Sequence, residues 1–217
     1  MSTLVRNVCA WTALFFLCHS SALRADVVFN NFGPGDSFPD AGRLLQGETF
    51  GTIGNVDQAT AFTVGSSNYL LTDIRIGVTV SGPPNTGTGP LDLILATDAG
   101  GLPGILLKTF PFTLNNTGKQ IVHATDAATL QLNAGATYWI IADAKGHFDG
   151  GWDNNNIGDL GPTAGRSDNG PWSLHGANDT RLTLRVEGNV AVPEPASFVV
   201  LCGSFIGLAT LRRRHKS

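Results

Sequence analysis

From Leu71 to Val80 the apolar side chains settle into every second position, with Ile74, Ile76, Val78 and Val80 alternating with Arg75, Gly77 and Thr79. That is the period of a strand with one buried face. Short runs of the same kind recur along the chain. Leu91, Leu93 and Leu95 alternate with Asp92 and Ile94, and Leu182, Leu184 and Val186 alternate with Thr183 and Arg185. Thr137-Tyr138-Trp139-Ile140-Ile141-Ala142 is the most strongly β-forming stretch and the expected central strand. Further strands are expected at 27–29, 46–50, 59–64, 105–114, 121–124 and 129–132, with Pro111 marking an edge or a bulge. The three-and-four spacing of amphipathic helices is missing from this region. About nine or ten short strands between turn signals predict an all-β domain, a two-sheet β-sandwich with the jelly roll as a variant.

The two ends of the chain read differently. Residues 1–25 carry Arg6, an apolar stretch from Val8 to Leu17 and small residues before two cutting points, the layout of a secretory signal helix. Cleavage after Ala22 satisfies a small-x-small rule, and cleavage after Ala25 leaves Asp26 first; we place the boundary at Ala25. At the other end stand Pro193-Glu194-Pro195, a sixteen-residue apolar run from 196 to 211, and the cluster Arg212-Arg213-Arg214-His215-Lys216. As a helix the run spans roughly 24 Å, marginally enough for a ~30 Å hydrocarbon core, with the basic cluster held on the cytoplasmic side. The prolines keep the entry to it extended.

This terminal arrangement, residues 192–217, resembles the PEP-CTERM sorting signal of Gram-negative bacteria. The resemblance implies recognition by an exosortase, removal of the transmembrane helix and delivery of the protein to the cell surface or extracellular matrix. Pro193, Glu194, Pro195, Arg212, Arg213 and Arg214 are the residues that carry it. An uncleaved C-terminal anchor is the alternative. Before sorting, the chain is expected to pass the secretion translocon and signal peptidase and to stand outside the inner membrane, anchored by its tail.

Composition matters once the ends are set aside. Cys9, Cys18 and Cys202 all lie in the two apolar segments, so the exported region has no cysteine and neither disulfide nor thiol chemistry. It carries 17 acidic against 8 basic side chains, a formal charge of −9. Nucleic acid is a poor partner for that balance, and divalent cations are a better one.

Several landmarks in residues 26–190 resemble the choice-of-anchor R type of extracellular domain: the Gly101-Leu102-Pro103-Gly104 turn, the run Leu132, Ala134, Gly135, Tyr138 and Trp139, and Gly170-Pro171-Trp172. That resemblance implies no catalytic residues.

The polar stretch 146–170 reads as one long connection, and such loops are often functional. Asp153, Asn155 and Gly158 match three positions of a calcium loop, but Ile157 and Ala164 stand where ligands are needed, which excludes an EF-hand. An irregular calcium site on Asp149, Asp153, Asn155 and Asp159 is one reading; Asx-turns bonding their own backbone are the other. Trp152 and Trp172, with Asn154 and Asn155 near the first, offer flat rings and amides of the kind that hold a sugar, against the alternative that both indoles cap the core. His123, His147 and His175 lack zinc-ligand spacing, and no Gly-x-Ser-x-Gly elbow occurs. The sequence therefore predicts a non-enzymatic exported protein with a structural or adhesive role beside exopolysaccharide, with no cofactor unless calcium. The alternative is a carbohydrate-binding module, calcium-dependent or not.

Overall fold

The computed structural model describes residues 25–50, 54–83 and 87–191. The expected signal segment up to residue 24 and the sorting tail from 192 onward, with its transmembrane helix, lie outside the described residues. Among those described, no helix is long and apolar enough to cross a membrane.

The described chain is all-β. It runs through β1 (Asp26–Asn30), β2 (Gly42–Gln46), β3 (Val56–Thr63), β4 (Tyr69–Val80), β5 (Gly89–Asp98) and β6 (Pro103–Leu114). It continues through β7 (Gly118–Thr125), β8 (Gln131–Leu132), β9 (Thr137–Ala144), β10 (Asp149–Asp153), β11 (Leu160–Ser167), β12 (Ser173–Thr180) and β13 (Leu184–Val190). A single 3-10 turn at Pro34–Asp36 interrupts the strands.

Every strand pair is antiparallel, in the order β1-β13-β4-β10-β2-β3-β9-β5-β6. β7 and β8 lie along β4, and β11 bridges β3 and β12. The sheet curls so that inward side chains from distant strands meet in one core. Ile74, Ile76, Val78 and Val80 of β4 join Leu91, Leu93 and Leu95 of β5, Tyr138, Ile140 and Ala142 of β9, and Val186 of β13. The alternation in β4 and β5 follows directly from this one buried face. A register shift opposite Leu71–Asp73 lets Leu71 and Ile74, three positions apart, both reach the core.

β9 is central, as its composition predicts, and buries its other face as well. Trp139 and Ile141 pack with Ala59, Ala61, Ile94, Ala96 and Ala164 in a second cluster, against which Leu102 and Trp172 rest. β6 ends the pairing order and holds Pro111, so that proline sits on an edge strand.

Two sequence expectations need correction. The expected strand at 46–50 is instead the end of β2, which runs from Gly42 to Gln46, followed by a turn over 47–50. Residues 146–170 are not one loop; they contain β10 and β11, and β12 follows. Glycine is the reason β10 can be a strand despite the composition Asp-Gly-Gly-Trp-Asp. A methyl at Gly150 would run into the Thr79 carbonyl, and one at Gly42 into the Trp152 carbonyl, so β4, β10 and β2 close up only around glycine.

Candidate functional site

The inward face of β10 is taken by Trp152. Its ring is fully buried in the main core and its Nε1–H donates to the Thr183 carbonyl at 2.8 Å. No ring face is left for a sugar, so the expected stacking role of Trp152 is corrected to that of a core residue. Trp172 differs: it is half-buried at the margin of the second cluster, with the Arg166 guanidinium 4.7 Å from its ring centre.

Asn155 is turned into its own loop. Its Nδ2 donates to the carbonyls of Asp159 and Arg181, and its Oδ1 accepts from the backbone of Ile157 and Asp159. That is the Asx-type arrangement. Asn154, half-buried, bridges to Leu182 through its backbone and donates its N–H to Ala41. Asp159 accepts from Arg181 and Asn31. Asp149 lies beside Gln46, and Asp153 beside Thr79. Among the described residues no three His, Cys, Asp or Glu side chains group to hold a metal.

The outward face of β10 makes a groove instead. It has a volume of about 240 Å³ and is lined by Asp40, Ala41, Gly42, Arg43, Leu44, Thr79, Ser81, Gly150, Gly151 and Asp153. Its shape follows from register. Gly151 lies between Leu44 on β2 and Thr79 on β4, so the middle strand lacks a side chain where both neighbours have one. Asp153, two residues on, forms the floor; it is buried, and its Oδ2 accepts the Thr79 hydroxyl at 2.7 Å. Burial pushes the Asp153 carboxyl up to about 6, with Asp40 adding to the rise and the Thr79 hydrogen bond and Lys119 opposing it. The volume is below the ~300–1,000 Å³ of a typical small-molecule pocket. It suits one polar group such as a hydroxyl pair or a single sugar ring edge. Sequence reasoning missed Asp40, Thr79 and Ser81, because only tertiary pairing brings them beside Asp153.

A second polar feature crosses the outer face of β11, β3, β9 and β5. Arg166 stands opposite Asp57, and Asp143 opposite Asp92. Arg166 Nε donates to Asp57 at 2.7 Å and Lys145 Nζ donates to Asp143 at 2.6 Å, while one oxygen of each of these two carboxyls is buried without a hydrogen-bond partner. Burial and then Asp143 push Asp57 up to about 6, against the pull of Arg166. The same two causes raise Asp92.

Among the described residues, no hydrogen bond joins a serine or threonine hydroxyl to a histidine: His175 faces Gln58, His123 lies near Asp73, and His147 stacks on Phe50. No protein-family model matches the chain, and no curated protein matches its sequence.

Proposed function

We propose that this chain is an exported protein, cut by signal peptidase after translocation, sorted and cleaved by an exosortase at its Pro-Glu-Pro tail, and left at the cell surface or in an exopolysaccharide matrix. Its domain is read as a two-sheet β-sandwich with a structural or adhesive role. The observation that carries the proposal is the terminal signature itself: Pro193-Glu194-Pro195, the apolar run and the arginine cluster in that order. The layout of the sheet supports it. The first strand begins at Asp26 and the last ends at Val190, and Asp26 pairs with Gly188. Both cutting points therefore fall outside the hydrogen-bonded strands, on neighbouring strands, and trimming removes no rung of the ladder. A cysteine-free, acidic surface suits a protein that needs no oxidising partner and stays in solution.

Intact-mass measurement on membrane and extracellular fractions of the native host tests the proposal. A species outside the membrane that lacks both the first ~25 residues and everything beyond the Pro-Glu-Pro region is the expected result. Recovery solely of a membrane-bound species retaining residues 196–217 would overturn the sorting step.

A further inference from the structure

Three uncharged loops meet at one end of the domain. Residues 64–68 (Val-Gly-Ser-Ser-Asn), 99–107 (Ala-Gly-Gly-Leu-Pro-Gly-Ile-Leu-Leu) and 132–137 (Leu-Asn-Ala-Gly-Ala-Thr) contain no Asp, Glu, Lys or Arg. Strand register places them together: Thr63 pairs with Thr137, Thr97 with Tyr138, and Asp98 with Pro103. The chain leaves the domain at this same end. Val190 pairs with Tyr69, the Ala191 N–H donates to the Asn68 carbonyl, and the Asn68 side chain accepts from Ala134.

The same end also carries exposed apolar surface. Ile105, Leu106 and Leu107 are 75%, 58% and 37% exposed on β6, the strand that ends the pairing order. Their consecutive exposure has a structural cause. The pairing of β6 with β5 shifts register twice here, and the Thr97 hydroxyl accepts the Ile105 N–H at 3.0 Å. The strand leaves regular pleating and turns three apolar residues outward in a row. The nearby charges are already occupied: Asp98 accepts from Gly101 and from the Trp139 indole, and Asp126 pairs with Lys108 at 3.0 Å.

We infer that this end, with Ile105 and Leu106 at its tip, rests on the lipid surface while the tail is anchored. The inference builds on the reading of residues 196–211 as a membrane segment. Only residues 191–195 separate Val190 from that segment, a tether of at most ~18 Å when fully extended. A domain held that closely presents its exit end to the bilayer. That end presents apolar residues with few charges, an exposed Asp26 opposite Gly188 and the Lys108–Asp126 pair among them, whereas the groove with Asp40 and Asp153 lies toward the far end of β4 and β10. Leu and Ile side chains without competing charge partition into the interfacial region.

The test uses the full chain, reconstituted into vesicles of phosphatidylethanolamine and phosphatidylglycerol that contain a headgroup-proximal spin-labelled phospholipid. Single cysteines for an environment-sensitive fluorophore are placed by Leu106→Cys, by Glu48→Cys at the opposite end, and by retaining Cys202; the other native cysteines are changed to serine. The expected result is a blue-shifted emission and strong quenching at 106, no quenching at 48, and quenching at 202. Adding Ile105→Asp to the Leu106→Cys chain should abolish the quenching at 106 with the circular dichroism unchanged. Quenching at 202 with 106 behaving like 48 would overturn the contact and leave the membrane segment standing. Cross-linking of 106 to 106 between copies, with no lipid quenching, would overturn it in favour of edge-to-edge pairing. An unquenched 202 would remove the membrane segment itself, and the inference with it.

Discussion

Asp153 is a carboxyl held under a strand with one hydroxyl for company, and its proton stays on to about pH 6. An unfolded aspartate releases its proton near ~3.9. Between those values the folded protein binds a proton that the unfolded chain has lost, so stability falls as pH rises through the window and is constant above it. Asp153→Asn removes the charge and keeps an oxygen for Thr79. We expect it to raise stability at neutral pH by on the order of 2 kcal/mol and to flatten the slope across the window. Urea denaturation at a series of pH values measures both; an unchanged slope would refute the assignment. Asp57 and Asp92, raised in the same sense, contribute to the slope that remains, and Asp126 and Asp179, both lowered, oppose it. The two tryptophans behave differently under truncation. Trp152→Ala empties the core and should cost about 3–5 kcal/mol, so any glycan binding lost with it would report unfolding. Trp172→Ala leaves a half-buried margin and should shift the melting temperature far less, which makes it the informative variant in a glycan pull-down.

At the scale of the strand, β2, β10 and β4 close up only where glycine allows. A methyl at Gly42 meets the Trp152 carbonyl, whereas at Gly151 the nearest atom, the Arg43 carbonyl oxygen, is 3.4 Å away. Gly42→Ala should therefore cost about 1–3 kcal/mol, while Gly151→Ala should fold normally and fill the groove. Thermal melts of the pair check this, and equal losses would contradict the packing. The same glycines explain what could be read from the sequence. β4 and β5 are legible because the face turned to the main core imposes a period of two, and β9, buried on both faces, because of its aromatic and β-branched residues. β10 to β12 are not, because Asp-Gly-Gly-Trp-Asp and its polar successors carry turn chemistry and become strands through partners far away in sequence. β2 was placed a few residues late for a related reason: its exposed Leu44 and buried Leu45 give no clean alternation. Of the groove, Asp153 alone is singled out by the sequence, and there as a calcium-loop position. Its neighbours Asp40, Thr79 and Ser81 had no local signal, since the groove exists only in cross-strand register.

Taken as one body, the domain is stapled by nothing covalent. Residues 26–195 contain no cysteine, so the melting temperature of that region should be identical with and without reductant; a shift would point to a species that still carries residues 1–25 or 196–217. Its charge of −9 should keep it soluble without affinity for nucleic acid. The seating of the last strand has a further consequence. β13 lies between β1 and β4 and leaves the sheet along its own axis, with seven registered partners on β4 and four on β1. Hydrogen bonds in an antiparallel ladder stand perpendicular to the strands. A pull on the tail, with the opposite end held, loads these rungs in shear and all together, rather than opening them one at a time like a zipper. A domain tethered through this strand is built to withstand traction, as a fitting at a surface exposed to flow must be.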